Sequence, residues 1–177
     1  SKSAVNSTSA RPLAEIIEME KRNPPKMKEP GLSFTGFFES EHYVFPYGTH
    51  AAHVAVDAET GKIEIVDYVI VEDIGKAINP LICHGQAVGS CVQGIGGTIL
   101  EELVYDDNGQ LLTTTLMDHL LPISTDVPMI KSIILEESPS PHNPLGLKGA
   151  GEGGIVGTGS ALANAVSNAL RSFGVQI

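Results

Sequence analysis

The sequence contains no tryptophan, only two cysteines, and 11 basic side chains against 21 acidic ones. Each scarcity excludes something. Two cysteines are too few for a disulfide scaffold and fit a reducing compartment, so a cytoplasmic protein is expected. A formal net charge of −10 repels phosphate backbones, so nucleic acid is not an expected partner. No apolar run reaches the roughly 18 to 20 residues that cross a bilayer, so no membrane partner is expected. The start, Ser1 to Ser9, is polar and lacks the apolar stretch of a signal peptide, which tells against independent secretion. Position 1 is not methionine, so a processed, tagged or cut chain is expected.

What is present suffices for a folded domain. With 42% of its 177 residues hydrophobic and 18% charged, the chain can bury a core and is not disordered. Glycine is in excess, at 19 residues where average usage would give about 12.

Residues 1–11 read as a flexible lead. Pro12 to Arg22 has helical composition and is stopped by Pro24-Pro25, and a linker follows to Gly31. Leu32 to Glu39 is rich in strand-formers. Two β-branched runs flank Asp57-Ala58-Glu59-Thr60-Gly61, which predicts a hairpin. Asn79-Pro80 marks a helix start, with Asn as cap and Pro in the first turn, and the helical reading runs to about Tyr105. Strands are expected at Leu111 to Thr115 and Lys131 to Glu137, and a C-terminal helix from about Thr158 to Phe173. The fold class is α+β, with strand hairpins packed against one or two long helices.

The glycines concentrate in two places, at 85–97 and at 146–159, each running into a helical segment. Bare backbone of this kind suits close approach by another chain or a ligand, and a helix start offers free N–H groups. Gly149-x-Gly151-x-x-Gly154 formally matches a dinucleotide fingerprint. It follows a Pro-rich loop rather than a strand, and the acidic residue due about 20 positions later is missing. Within the cluster, Glu152 has glycine on both sides, so no neighbouring side chain shields its carboxylate. Such a carboxylate suits proton transfer; a solvated Glu on a loop is the plainer alternative. Cys83 and Cys91 stand about 12 Å apart along a helix, too far for a local disulfide. His50 and His53 read as ordinary strand residues facing opposite sides, and His142 as a solvated loop residue.

The segment LKGAGEGGIVGTGSALANAVSNAL, with HVAVDAETGKIEIVDYVIVEDIGKAINPLICHGQAVGSCVQGIGGTILEEL upstream, resembles the C-terminal part of the molybdopterin-binding large subunit of the xanthine dehydrogenase, aldehyde oxidase and carbon monoxide dehydrogenase family. The resemblance implies that residues 32–177 are part of a C-terminal molybdenum-cofactor-binding domain, preceded by a lead and linker over 1–31. It implies oxidative hydroxylation of an aldehyde or N-heterocycle with water as oxygen source. Carried over by position, Glu152 is the general base toward a molybdenum-bound hydroxyl. Gly149, Ala150 and Gly151 line the cofactor, and Gln86 contacts it. The metal is held by the pterin dithiolene rather than by protein ligands. The implied cofactor is molybdopterin, typically in its cytosine dinucleotide form in bacterial members. The implied partners are the remaining segment of the molybdenum subunit and the iron–sulfur clusters and FAD on partner subunits or domains. The family's earlier glycine-rich cofactor loops are absent, so the chain is expected to be inactive alone. The competing reading is a non-catalytic assembly domain whose glycines pack on a partner subunit.

Overall fold

The computed structural model describes residues 42–174, together with Glu18 and residues 37–39. Of the helix expected at 12–22 only Glu18 is described, and it is helical; residues 37–39 of the strand expected at 32–39 are described and are not in a strand, and the rest of both segments lies outside the described residues. The chain divides into two units, Ser1–Glu39 and Ser40–Ile177, and every element named below belongs to the second.

The hairpin forms as its alternation predicts. Strand β1 (Tyr47–Val56) pairs antiparallel with β2 (Ile63–Asp73), with one register shift between His53 and Val54. The turn is closed by Asp57, whose Oδ1 accepts from the N–H groups of Glu59 and Thr60 at 2.8 and 3.2 Å. This is the local bonding that makes Asp a turn former. On β2 the even-numbered residues Tyr68, Ile70 and Glu72 point inward and are buried, as period-2 geometry requires. Strand β3 (Lys131–Leu135) pairs parallel with β2, giving the sheet order β1-β2-β3.

Helix α1 (Pro80–Ile95) crosses from β2 to β3. Asn79 caps it, its Oδ1 accepting from Ile82 N–H at 3.3 Å, with Pro80 at the first helical position. It ends in one π-helical turn over Gly96–Leu100, so helix stops at Leu100 rather than near Tyr105. There Glu101 turns extended while its N–H still bonds Gly96 O at 2.9 Å. The strand expected at Leu111 to Thr115 does not form. Leu111 makes only an isolated bridge to Tyr105, because Asp106 closes a tight turn between them through its bonds to Asn108 and Gln110.

Helix α2 (Gly153–Ala169) begins five residues before the expected start at Thr158. Tertiary packing overrides the poor helix propensity of its glycines. A Cβ on Gly154 would collide with Ser90 Oγ and lie 2.6 Å from Cys91 N on α1. One on Gly94 would lie 2.7 Å from Thr158 Cβ. The two helices therefore approach backbone to backbone, and their apolar faces close over the sheet. Tyr68, Ile70, Ala87, Cys91, Ile95 and Leu162 form the centre of this core. The architecture is α+β. Among the described residues, no helix is long and apolar enough to cross a membrane.

Candidate active site

The loop carrying Glu152 is fixed from its near end. Asp73, at the end of β2, is 1% exposed. Its Oδ1 accepts from Gly75 N–H at 2.9 Å and from Lys148 Nζ at 3.0 Å. Its Oδ2 accepts from the N–H groups of Glu137 and Ser138, both at 3.0 Å. Burial opposes ionisation of this carboxyl, but the bonds from Gly75, Lys148 and Ser138 outweigh it and hold the group below its ordinary value. The Lys148 ammonium also lies 4.5 Å from the centre of the Tyr47 ring. Next to it, Asn143 brackets Leu147 with two bonds of 2.8 Å, and the N–H groups of Lys148 and Gly149 donate to Ile74 O and Val44 O at 3.0 Å.

Beyond Gly149 the pattern changes. The N–H groups of Ala150, Gly151 and Glu152 donate to nothing among the described residues. Glu152 occupies the N-cap position of α2, yet its side chain accepts no bond from the helix. The carboxylate is exposed. With Gly149, Gly151 and Gly153 it lines a cavity of about 730 Å³, whose lining also includes Phe45, Tyr47, His50 and Glu72. The structure thus brings together three of the residues singled out by sequence: Gly149, Gly151 and Glu152. Ala150 lies half-buried in the same loop. Gln86 is exposed on α1 and does not line the cavity. Gly85 and Gly89 beside it leave that surface bare, with nothing within 4 Å of a Cβ on either.

Two residues of the cavity wall were not legible as site residues. Glu72 is 1% exposed and neither carboxylate oxygen has a hydrogen-bond partner. Burial pushes this carboxyl above its ordinary value. His50 Nδ1 lies 2.8 Å from Tyr68 Oη. Burial lowers the His50 pKa against the opposing effect of the Gly153 carbonyl. On a strand both residues read as one more alternation. Only the arrival of α2 over that face distinguishes them.

Comparison with known proteins shows the family of the chain. The model of the molybdopterin cofactor-binding domain matches residues 1–128. The chain is 39% identical over 142 residues to the 6-hydroxypseudooxynicotine dehydrogenase complex subunit gamma of Paenarthrobacter nicotinovorans, covering 80% of this chain and 18% of that protein. It is 38% identical over 162 residues to the nicotine 6-hydroxylase large subunit of the same organism, covering 92% of this chain and 20% of that one. An alignment of that reach includes residue 152, which the domain model does not. Among solved structures, quinoline 2-oxidoreductase from Pseudomonas putida 86 matches with a TM-score of 0.70 at 48% identity, over 73% of this chain and 16% of that chain. The chain spans about a fifth or less of the length of the proteins it matches. On the domain model, the relatives and the shared fold together, the chain belongs to the molybdopterin cofactor-binding family of the xanthine dehydrogenase, aldehyde oxidase and carbon monoxide dehydrogenase type.

Proposed function

We propose that this chain supplies the proton acceptor and part of the cofactor cradle of a molybdenum hydroxylase acting on an aldehyde or N-heterocycle, with water as the oxygen source. The observation that carries the reading is the state of residues 150–152. Three consecutive N–H groups have no acceptor among the described residues, and the adjoining Glu152 carboxylate caps no helix while facing a cavity. That donor set suits a molybdenum pterin, whose ring edges and phosphate present acceptors to backbone N–H groups at a helix start. Ala150 and Gly151 would hold the group by their N–H donors. Gly149 would give it room, and the Gln86 amide would reach it from the α1 side. When bound, the cofactor supplies the two-electron oxidation of the substrate carbon. Glu152 accepts the proton released in that reaction at a carboxylate oxygen, then returns it to solvent.

The wider assignment belongs to the same proposal. The cofactor is taken in its cytosine dinucleotide form. The remaining segment of the molybdenum subunit completes the site, and partner subunits or domains carry iron–sulfur clusters and FAD. The free thiols of Cys83 and Cys91 fit a cytoplasmic enzyme. A second reading, a non-catalytic assembly domain, is favoured by one observation: Leu116, Met117, Ile123 and Met129 are exposed along one segment.

Glu152→Gln separates the two readings. The amide keeps the size of the carboxylate and cannot take a proton at neutral pH. In the complete enzyme, molybdenum content should stay near one atom per chain. Turnover should fall by about 10²- to 10⁴-fold, or roughly 3 to 5 kcal/mol of barrier. Turnover within about threefold of the parent would remove Glu152 from the chemistry and leave the assembly reading.

A further inference from the structure

At the start of α2, Gly153 and Gly157 present bare backbone to the sheet. They are four residues apart, or about 6 Å along the axis, on one side of the helix. What fills the space beneath them comes from the strands. A Cβ on Gly153 would collide with Glu72 Oε1, and one on Gly157 would lie 2.7 to 2.9 Å from three atoms of the His50 ring. His50 also lines the cavity that holds Glu152.

The His50 ring is itself held. Its Nδ1 lies 2.8 Å from Tyr68 Oη, and the two rings meet edge to face with centroids 5.9 Å apart. Tyr68 is fully buried and donates to Thr158 Oγ1 at 3.3 Å, and Thr158 Oγ1 donates to Gly154 O at 2.6 Å. The His50 ring also faces the carbonyl of Gly153. A line of polar contacts thus runs from β1 through β2 to two successive carbonyls in the first turn of α2. Those carbonyls belong to the two residues that follow Glu152 in the chain. On the other side of Glu152 the support is thinner. The N–H groups of residues 150–152 donate to nothing among the described residues, and the last tie before them is Gly149 N–H to Val44 O. The Glu152 side chain accepts no bond from the helix it caps. The direction of its carboxylate is therefore set mainly from the helix side.

We infer that His50 is a positioning residue for Glu152: held by Tyr68, its ring fixes the first turn of α2 and with it the direction in which the Glu152 carboxylate meets the cavity. This rests on the reading of Glu152 as the proton acceptor. An acceptor must stand within hydrogen-bond reach of the group it deprotonates, and a misplacement of about 1 Å costs about 10²-fold in rate. His50 carries no proton in this role, and the exposed Glu152 releases its own to solvent. His50→Phe keeps a ring beneath Gly157 and loses the polar contacts to Tyr68 and to the Gly153 carbonyl. The start of α2 is then held only by packing, with Gly153 on Glu72 and Gly154 on Ser90 and Cys91.

The experiment uses the complete enzyme with its cofactor and compares His50→Phe, His50→Gln, Glu152→Gln and the double variant His50→Phe with Glu152→Gln. In His50→Phe, molybdenum content and KM should stay parental while kcat falls by about 10²-fold. His50→Gln, whose amide can still bond Tyr68 Oη, should recover most of that loss. The amides of Ile155 and Val156 donate to Glu152 O, and in His50→Phe they should exchange with solvent about fivefold faster, the loss of one net hydrogen bond. This readout needs no turnover. The double variant should be no slower than Glu152→Gln alone, because a residue that acts through Glu152 then has nothing left to position. Additive losses in the double variant overturn the inference, as does a kcat that falls only in step with molybdenum content. So do unchanged exchange at Ile155 and Val156, and a His50→Gln variant as slow as His50→Phe. Loss of turnover in Glu152→Gln with parental kcat in His50→Phe would sink the positioning role and keep the base. Full turnover in Glu152→Gln would sink both. Should His50→Phe not accumulate, Tyr68→Phe, which removes only the hydroxyl that holds the ring, decides the matter by the same criteria.

Discussion

Lys148 Nζ lies 3.0 Å from Asp73 Oδ1 in a buried ion pair, with the two side chains 10% and 1% exposed. Together they tie the loop that carries Glu152 to the end of β2. A buried pair of this kind stabilises by what its loss would leave behind, an uncompensated charge.

Lys148→Met keeps most of the volume and strands the Asp73 carboxylate. We expect it to cost about 3 kcal/mol of local stability. The amides of Lys148 and Gly149, which donate to Ile74 O and Val44 O, should exchange with solvent about 10²-fold faster at 1.36 kcal/mol per decade. Exchange within threefold of the parent would show that the backbone bonds to Ile74 O and Val44 O hold the loop without the lysine.

Glu72 and Asp73 are adjacent and predict opposite pH dependences. Burial holds Glu72 above its ordinary 4.5. The folded chain keeps a proton there that the unfolded chain releases, so stability should fall as pH rises from 4.5 toward the folded value. Asp73 is held below its ordinary 3.8, so its contribution is present above 3.8 and lost as pH falls through the lower folded value. Hydrogen exchange of β2 amides across pH, corrected for intrinsic rates, measures both. Glu72→Gln should flatten the decline on the neutral side and Asp73→Asn the loss on the acid side.

Gln86 and Gly85 test the α1 face of the cradle. Gln86→Ala should lower molybdenum occupancy of the complete enzyme while activity per bound molybdenum changes little. Gly85→Ala meets nothing within 4 Å in this chain, so it should strengthen α1 by about 0.8 kcal/mol. It should nevertheless lower occupancy, because the added methyl stands on the bare surface beside Gln86. Unchanged metal content in both variants would place the cofactor elsewhere.

The chain expressed alone should bind no molybdenum, since a pocket needs walls on several sides. It should also self-associate. Leu81, Met117 and Met129 are 81%, 88% and 92% exposed, and apolar surface of this extent draws partners. A monodisperse monomer by light scattering at high concentration would contradict this, and stoichiometric metal would contradict the incomplete pocket.

The parts of the fold legible in sequence are those governed by neighbours in the chain. The Asp57–Gly61 turn, the Asn79-Pro80 cap and the alternation of β1 and β2 depend on contacts a few residues long. Glu152 was legible because glycines isolate it. The early start of α2 was not, because Gly154 becomes helical only against Ala87 and Cys91 of α1. The pattern of Leu111 to Thr115 suits a strand, but the Asp106 turn leaves it a single bridge. Glu72 and His50 were hidden for the same reason. Their meaning depends on which surface of a helix more than 80 residues further along the chain comes to rest on them, and no local pattern records that.

The span of the tie at Asp73 also bears on the order in which the molecule can form. The β1–β2 hairpin closes a short loop, while the contact between Asp73 and Lys148 joins residues 75 positions apart. Closure entropy grows slowly with separation, about 0.6 kcal/mol per doubling, but it must be overcome before the contact returns anything. A chain emerging from the ribosome can therefore hold the hairpin and α1 well before residues 146–153 exist to dock. Glu152 reaches its place only after the hairpin and α1. A chain truncated before Lys148 would keep the hairpin's local bonds and lose both the tie to Asp73 and Glu152 itself.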